Sequence, residues 1–104
     1  MTLSEQIQED IKSNSVILYM KGTKQMPMCG FSSTVVNILN MHDIEYKDIN
    51  VLEDPEIRVQ LSAFSNWPTI PQLFVNGELI GGCDIVVELH KKGELTGILD
   101  QSNS

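Results

Sequence analysis

Cysteine is scarce in this chain: Cys29 and Cys83 are the two thiols in 104 residues. Two cysteines are too few for a disulfide scaffold and fit a reducing compartment, where thiols react or bind metal. Positive charge is also scarce. The chain has 7 Lys and Arg against 14 Asp and Glu, a net charge of −7. Nucleic acid and anionic membrane surfaces are therefore poor partners. No apolar run approaches the ~20 residues that span a bilayer. Met1-Thr2-Leu3-Ser4-Glu5 carries neither a basic region nor an apolar stretch, so the reading is a cytoplasmic chain without a signal or transit peptide. Repeats, low-complexity tracts and linkers are lacking as well. A hydrophobic content of 41% suits one compact domain over residues 1–104, with a core from about residue 4 to 99 and a frayed tail at 101–104.

Periodicity supplies the elements. Thr2-Leu3-Ser4-Glu5 has capping-box spacing, and Leu3, Ile7 and Ile11 recur every four residues, which predicts a helix ending near Asn14. Val16 to Met20 is apolar without alternation, as in a strand buried on both faces. Gly22 and Pro27 mark residues 21–28 as loop. A helix is expected from about Cys29 to Met41, then a strand from Tyr46 to Asn50. Strand, helix, strand over this distance is a parallel crossover unit. Asp54 is a plausible N-cap and Pro55 a good first helical residue, with Ile57, Leu61 and Phe64 on the inner face. Asn76-Gly77, between Gln72–Val75 and Glu78–Ile80, is a hairpin signal. A helix is expected from Asp84 to Lys92, stopped by Gly93, and a last turn or two from Glu94 to Leu99. The order α-β-α-β-α-β-β-α is that of an α/β, thioredoxin-like fold, a four-stranded mixed sheet flanked by helices.

Cys29-Gly30-Phe31-Ser32 is the most informative stretch. A Cys-x-x-Cys pair closes a disulfide on itself; Cys-x-x-Ser leaves one thiol without a local resolving partner. The expected place of Cys29, at a helix N-terminus and the carboxyl end of the first strand, favours a thiolate and a ligand site. Ser32 has two readings, a hydroxyl near the sulfur or an ordinary first-turn serine bound to backbone. Lys21 either lowers the thiol pKa or pairs with a ligand carboxylate, or is a solvated lysine. Arg58 is a donor fork for a carboxylate or an exposed helix arginine. Trp67 is core or the wall of a groove, and one of Pro68 and Pro71 is a candidate for a cis bond. Gly81-Gly82 allows close approach to backbone ahead of a helix N-terminus. Asp84 is read first as a cap, and Cys83 as a small buried residue. His42, His90, Met26 and Met28 form no recognisable metal set.

Together these residues resemble a monothiol glutaredoxin of the Cys-Gly-Phe-Ser type. The matching segments are Met20-Lys21-Gly22, Met28-Cys29-Gly30-Phe31-Ser32, Trp67-Pro68-Thr69-Ile70-Pro71-Gln72 and Gly81-Gly82-Cys83-Asp84-Ile85, within a likeness running from about Ser4 to Leu99. The resemblance implies that Cys29 is the catalytic and cluster-ligating thiolate. It implies that Lys21 and Arg58 bind the glycine carboxylate of glutathione, and that Ile70, beside a cis-Pro71, pairs with its cysteinyl part. Gly82, Cys83 and Asp84 then hold the γ-glutamyl end, with Trp67 and Thr69 walling the site. The departure from the family pattern lies around Val59 to Ala63, where many relatives carry more charge.

The expected cargo is a 2Fe–2S cluster. Such a cluster takes four soft ligands, usually thiolates, and one protomer supplies Cys29 alone. Two protomers with two glutathiones supply four. The expectation is therefore a homodimer when cluster-bound, delivering clusters to apo iron–sulfur proteins, with a BolA-like protein as a possible further partner. The rival expectation is a glutathione-dependent oxidoreductase acting on mixed disulfides through Cys29. A third is a regulatory Cys29–Cys83 disulfide.

Overall fold

A computed structural model describes residues 1–101. Helix α1 (Leu3–Ser13) leads into strand β1 (Val16–Met20), helix α2 (Gly30–Met41) and strand β2 (Lys47–Asn50). A single 3-10 turn (Val51–Glu53) precedes α3 (Pro55–Ser65), the hairpin β3 (Gln72–Val75) and β4 (Glu78–Gly81), α4 (Cys83–Lys91) and α5 (Leu95–Gln101). The sheet order is β2-β1-β3-β4. Strands β1 and β2 are parallel across α2, and β3 is antiparallel to both β1 and β4.

Local chemistry sets the boundaries. The Thr2 hydroxyl accepts from the Glu5 N–H at 3.2 Å and the Glu5 carboxylate accepts from the Thr2 N–H at 3.0 Å, the full capping box. Asp54 caps α3 through the Glu56 N–H at 3.0 Å, with Pro55 first in the helix. Asn76 and Gly77 take φ of 52° and 83°, the left-handed pair that a two-residue hairpin turn demands.

The centre of the sheet is buried on both faces. Val16, Leu18 and Met20 join Val35, Leu39, Leu73, Val75, Val86 and Leu95 on one side. Ile17 and Tyr19 join Ile7, Ile11, Leu61 and Phe74 on the other. Successive strand side chains point to opposite faces, so a strand covered twice carries five apolar residues in a row. Tyr19 and Phe74 meet edge to face, centroids 6.0 Å apart.

Several expectations are corrected. Phe64 is 44% exposed: it sits at the rim of the groove beside α1 with Ile11 and Lys12, not on the inner face. Helix α4 starts one residue earlier than expected, with Gly82 rather than Asp84 as its N-cap and no side-chain cap bond. Cys29 stands just outside α2 as its N-cap. Of the expected frayed tail, Gln101 ends α5, and residues 102–104 lie outside the described residues.

Leu39 is fully buried between α2 and the sheet, whereas Met41 is 70% exposed. Leu39→Ala is expected to lower unfolding stability by about 2–5 kcal/mol, and Met41→Ala by less than about 0.5 kcal/mol. Urea denaturation checks both; equal losses would contradict this assignment of the α2 faces.

Candidate functional site

The loop between β1 and α2 delivers Cys29, and polar pins hold it. The Lys21 N–H donates to Ser32 Oγ at 3.1 Å, joining the end of β1 to the first turn of α2. The Gly22 N–H donates to Asn50 Oδ1 at 3.0 Å, and the same oxygen accepts from the Leu52 N–H at 3.0 Å. Lys24 donates its N–H to Asp48 at 2.9 Å and its ammonium to the Tyr46 carbonyl at 2.8 Å. The Met28 N–H returns to the Lys21 carbonyl at 2.9 Å. Gly22 has φ +88°, and a Cβ there would lie 2.5 Å from the Met26 carbonyl oxygen, so glycine is required for the loop to close.

Cys29 is half-buried and free, as is Cys83. Its sulfur makes no formal cap bond, yet its thiol is held below the ordinary thiol range. The largest cause is the Ser32 N–H; the Phe31 N–H, the Lys21 ammonium and the Ser32 hydroxyl act in the same direction, against partial burial. Ser32 thus fulfils both of its readings. It is fully buried, accepts from backbone, and favours the neighbouring thiolate. Cys83 is shifted the other way, by burial first, then by the Asp84 carboxylate and Cys29. The two thiols are therefore near enough to sense each other across the helix N-termini.

Beside Cys29 opens a cleft of about 180 Å³ lined by Phe31, Trp67, Thr69, Ile70, Pro71, Gly82, Cys83, Asp84 and Ile85. The Ile70–Pro71 peptide is cis. The indole N–H of Trp67 is buried with no partner among the described residues. A Cβ on Gly82 would lie 3.2 Å from both that indole nitrogen and the Pro71 carbonyl oxygen; the bare glycine keeps this wall open. Lys21 and Arg58 line an adjoining hollow with Val51, Leu52, Pro55 and Val59. Arg58 Nη2 reaches the Pro68 carbonyl at 3.5 Å and is otherwise exposed.

Sequence reasoning missed two supports. Gln72 is fully buried, and its Nε2 donates to the Trp67 carbonyl at 3.0 Å and the Thr69 carbonyl at 3.1 Å. It clamps the segment that forms the cleft wall. A glutamine opening an otherwise apolar buried strand was the signal. Asn50 is the other: it ties the loop of Lys21 to the turn after β2.

Two outcomes are expected. Alkylation of Cys29 by iodoacetamide will titrate below the ordinary thiol range and that of Cys83 above it, since the thiolate is the nucleophile. At neutral pH Cys29 is labelled first, and Lys21→Ala moves its inflection to higher pH; equal labelling of both cysteines would contradict the opposed shifts. Gln72→Leu leaves two carbonyls without their donor. It is expected to cost about 1–3 kcal/mol in urea denaturation and to alter the emission of Trp67, the one tryptophan of the chain.

Comparison with known proteins places this geometry. The Glutaredoxin family model matches residues 16–80. "Probable monothiol glutaredoxin 2" of Rickettsia typhi is 61% identical over 93 residues, covering 89% of this chain and 84% of that protein. The reduced apo form of poplar GrxS14 superposes with a TM-score of 0.85 at 44% identity, covering 97% of this chain and 93% of that one. The buckwheat glutaredoxin–glutathione complex superposes with a TM-score of 0.86 at 26% identity, covering 97% and 90%. With its Cys-Gly-Phe-Ser segment at the N-terminus of α2 and a thioredoxin-like sheet behind it, this chain belongs to the glutaredoxin family, among the monothiol members.

Proposed function

We propose that this chain binds glutathione beside Cys29 and carries a 2Fe–2S cluster between two protomers for delivery to apo-proteins. The observation that carries the reading is the opposed state of the two thiols. Cys29 is held toward thiolate at an open cleft, and Cys83 is held toward thiol. Thiolates, not thiols, ligate iron. Among the described residues no group of three or more His, Cys, Asp and Glu gathers to hold a metal within one protomer. A cluster that takes four soft ligands therefore draws on a second Cys29 and on small thiols.

The residues present fit glutathione. Lys21 and Arg58 offer cations to its glycine carboxylate, Lys21 as a point charge and Arg58 as a fork. The backbone of Ile70, beside Pro71, offers an extended edge to its cysteinyl part. Gly82, Cys83 and Asp84 surround the start of α4, where free N–H groups suit the γ-glutamyl carboxylate and the Asp84 side chain suits its ammonium. Trp67 and Thr69 wall the cleft, and the unpartnered indole N–H is a donor awaiting an acceptor. When bound, glutathione supplies a thiol that completes the ligand set. Half the ligands are then exchangeable, so the cluster is held for transfer to an acceptor. No helix among the described residues is long and apolar enough to cross a membrane, and the reading is of a cytoplasmic carrier whose partners are apo iron–sulfur proteins and a BolA-like protein.

Anaerobic reconstitution with iron and sulfide, with and without glutathione, tests the reading by visible absorption and solution mass. The expected result is a glutathione-dependent 2Fe–2S spectrum on a dimer, lost in Cys29→Ser. A colourless monomer in both arms, with turnover of a glutathionylated substrate through Cys29, would replace the carrier with a thiol–disulfide oxidoreductase.

A further inference from the structure

Helices α2 and α4 lie side by side and point the same way. Their N-termini meet at the cleft, where Cys29 raises the pKa of Cys83. Their C-termini meet at the other end, about 13 Å along α4 and about 18 Å along α2 at a rise of about 1.5 Å per residue. At that far end His42, the C-cap of α2, faces His90 in the last turn of α4. His42 Nε2 lies 3.1 Å from His90 Nδ1 although the residues are 48 apart in sequence. The half-buried rings meet edge to face, centroids 5.3 Å apart and planes at 74°. No local pattern pairs them, and the cleft chemistry uses neither.

We propose that His42 and His90 form a binding site for a borderline divalent transition-metal ion, separate from the Cys29 cleft. Imidazole is the ligand that Zn²⁺, Cu²⁺ and Ni²⁺ share. Two nitrogen ligands at about 2.0–2.1 Å from a tetrahedral ion stand about 3.3 Å apart, so the rings need to part by only a few tenths of an ångström. In the metal-free molecule one ring donates its N–H to the other. The ion takes the place of that hydrogen bond: the donor ring changes tautomer, its proton passing through water to its far nitrogen, so that both rings stay neutral with their protons on His42 Nδ1 and His90 Nε2, and a turn of each ring brings both lone pairs to one point. The two helix C-termini add the negative ends of their dipoles, which favour a cation. Water completes the coordination, because no third His, Cys, Asp or Glu joins the pair among the described residues. This makes the site one of modest affinity.

The test uses the full chain with both thiols alkylated, so that Cys29 and Cys83 take no metal, and Zn²⁺ as the probe. Calorimetry measures binding, and nitrogen-15 spectra of the histidine rings locate it. One Zn²⁺ per chain is expected, with the His42 Nε2 and His90 Nδ1 resonances moving together. His42→Ala and His90→Ala should each lose about tenfold or more in affinity. Ring resonances that stay fixed while Zn²⁺ is added to millimolar levels would overturn the proposal and leave a hydrogen-bonded pair only. That spectrum is read on the unsubstituted chain, so it decides the matter even where a variant fails to fold. It is also independent of cluster assembly, which fails or succeeds at the other end of the helices.

Discussion

The site depends on one placement: two helices begin at the same end of a sheet. The parallel pairing of β1 with β2 forces α2 to cross over and start at the carboxyl end of β1. The antiparallel β3–β4 hairpin then returns the chain so that α4 starts beside it. Each N-terminus leaves backbone N–H groups without intrahelical partners. Set together, they make a region that stabilises negative charge in a chain whose net charge is −7. The same constraint gathers the helix C-termini, and with them the two histidines, at the opposite end. One topological choice thus puts both helix N-termini and both cysteines at one end and both helix C-termini and both histidines at the other.

Placement alone leaves the loops free, and buried or half-buried polar side chains behind the cleft fix them. Ser32 ties the end of β1 to α2, Asn50 ties the loop after β1 to the turn after β2, and Gln72 ties the Trp67–Thr69 segment to β3. None of the three needs to touch a ligand to matter. Each satisfies backbone groups that lie in or near the cleft wall, where water is partly excluded and an unpaired group costs free energy. The core on either side of the sheet supplies the rigidity against which these bonds hold their geometry.

Much of this was legible in the sequence. The five-residue apolar run at Val16 to Met20 reported a doubly covered strand. Thr2-x-x-Glu5, Asp54-Pro55 and Asn76-Gly77 each marked a boundary through a mechanism that the structure displays. Trp67, Thr69, Ile70, Pro71, Gly82, Cys83 and Asp84 line one cleft, Cys29 stands at the start of α2 near Cys83, and Lys21 and Arg58 line a second hollow. What could not be read depended on contacts between distant segments. Phe64 had the spacing of an inner-face residue, but α1 leaves it at a rim. Asp84 had the identity of a cap, but the chain enters α4 at Cys83 and leaves Gly82 in that role. Gln72, Asn50 and the His42–His90 pair act through partners remote in sequence, and no local pattern announces those partners.

The step from N-cap to first helical residue explains why two cysteines at two helix starts differ. Cys29 is the N-cap of α2, with extended backbone and its side chain directed back at the first turn, so the N–H groups of Ser32 and Phe31 favour its thiolate. Cys83 is already inside α4 as its first residue, and no such N–H groups act on it. It has instead the carboxylate of the next residue and the charge of Cys29 to repel its own. Had the chain entered α4 at Asp84, Cys83 would occupy the N-cap position that Cys29 holds in α2, facing the N–H groups of the next turn. Where each helix begins therefore sets the two sulfurs apart, and with Ser32 instead of a second cysteine three residues on, the site holds one activated thiol.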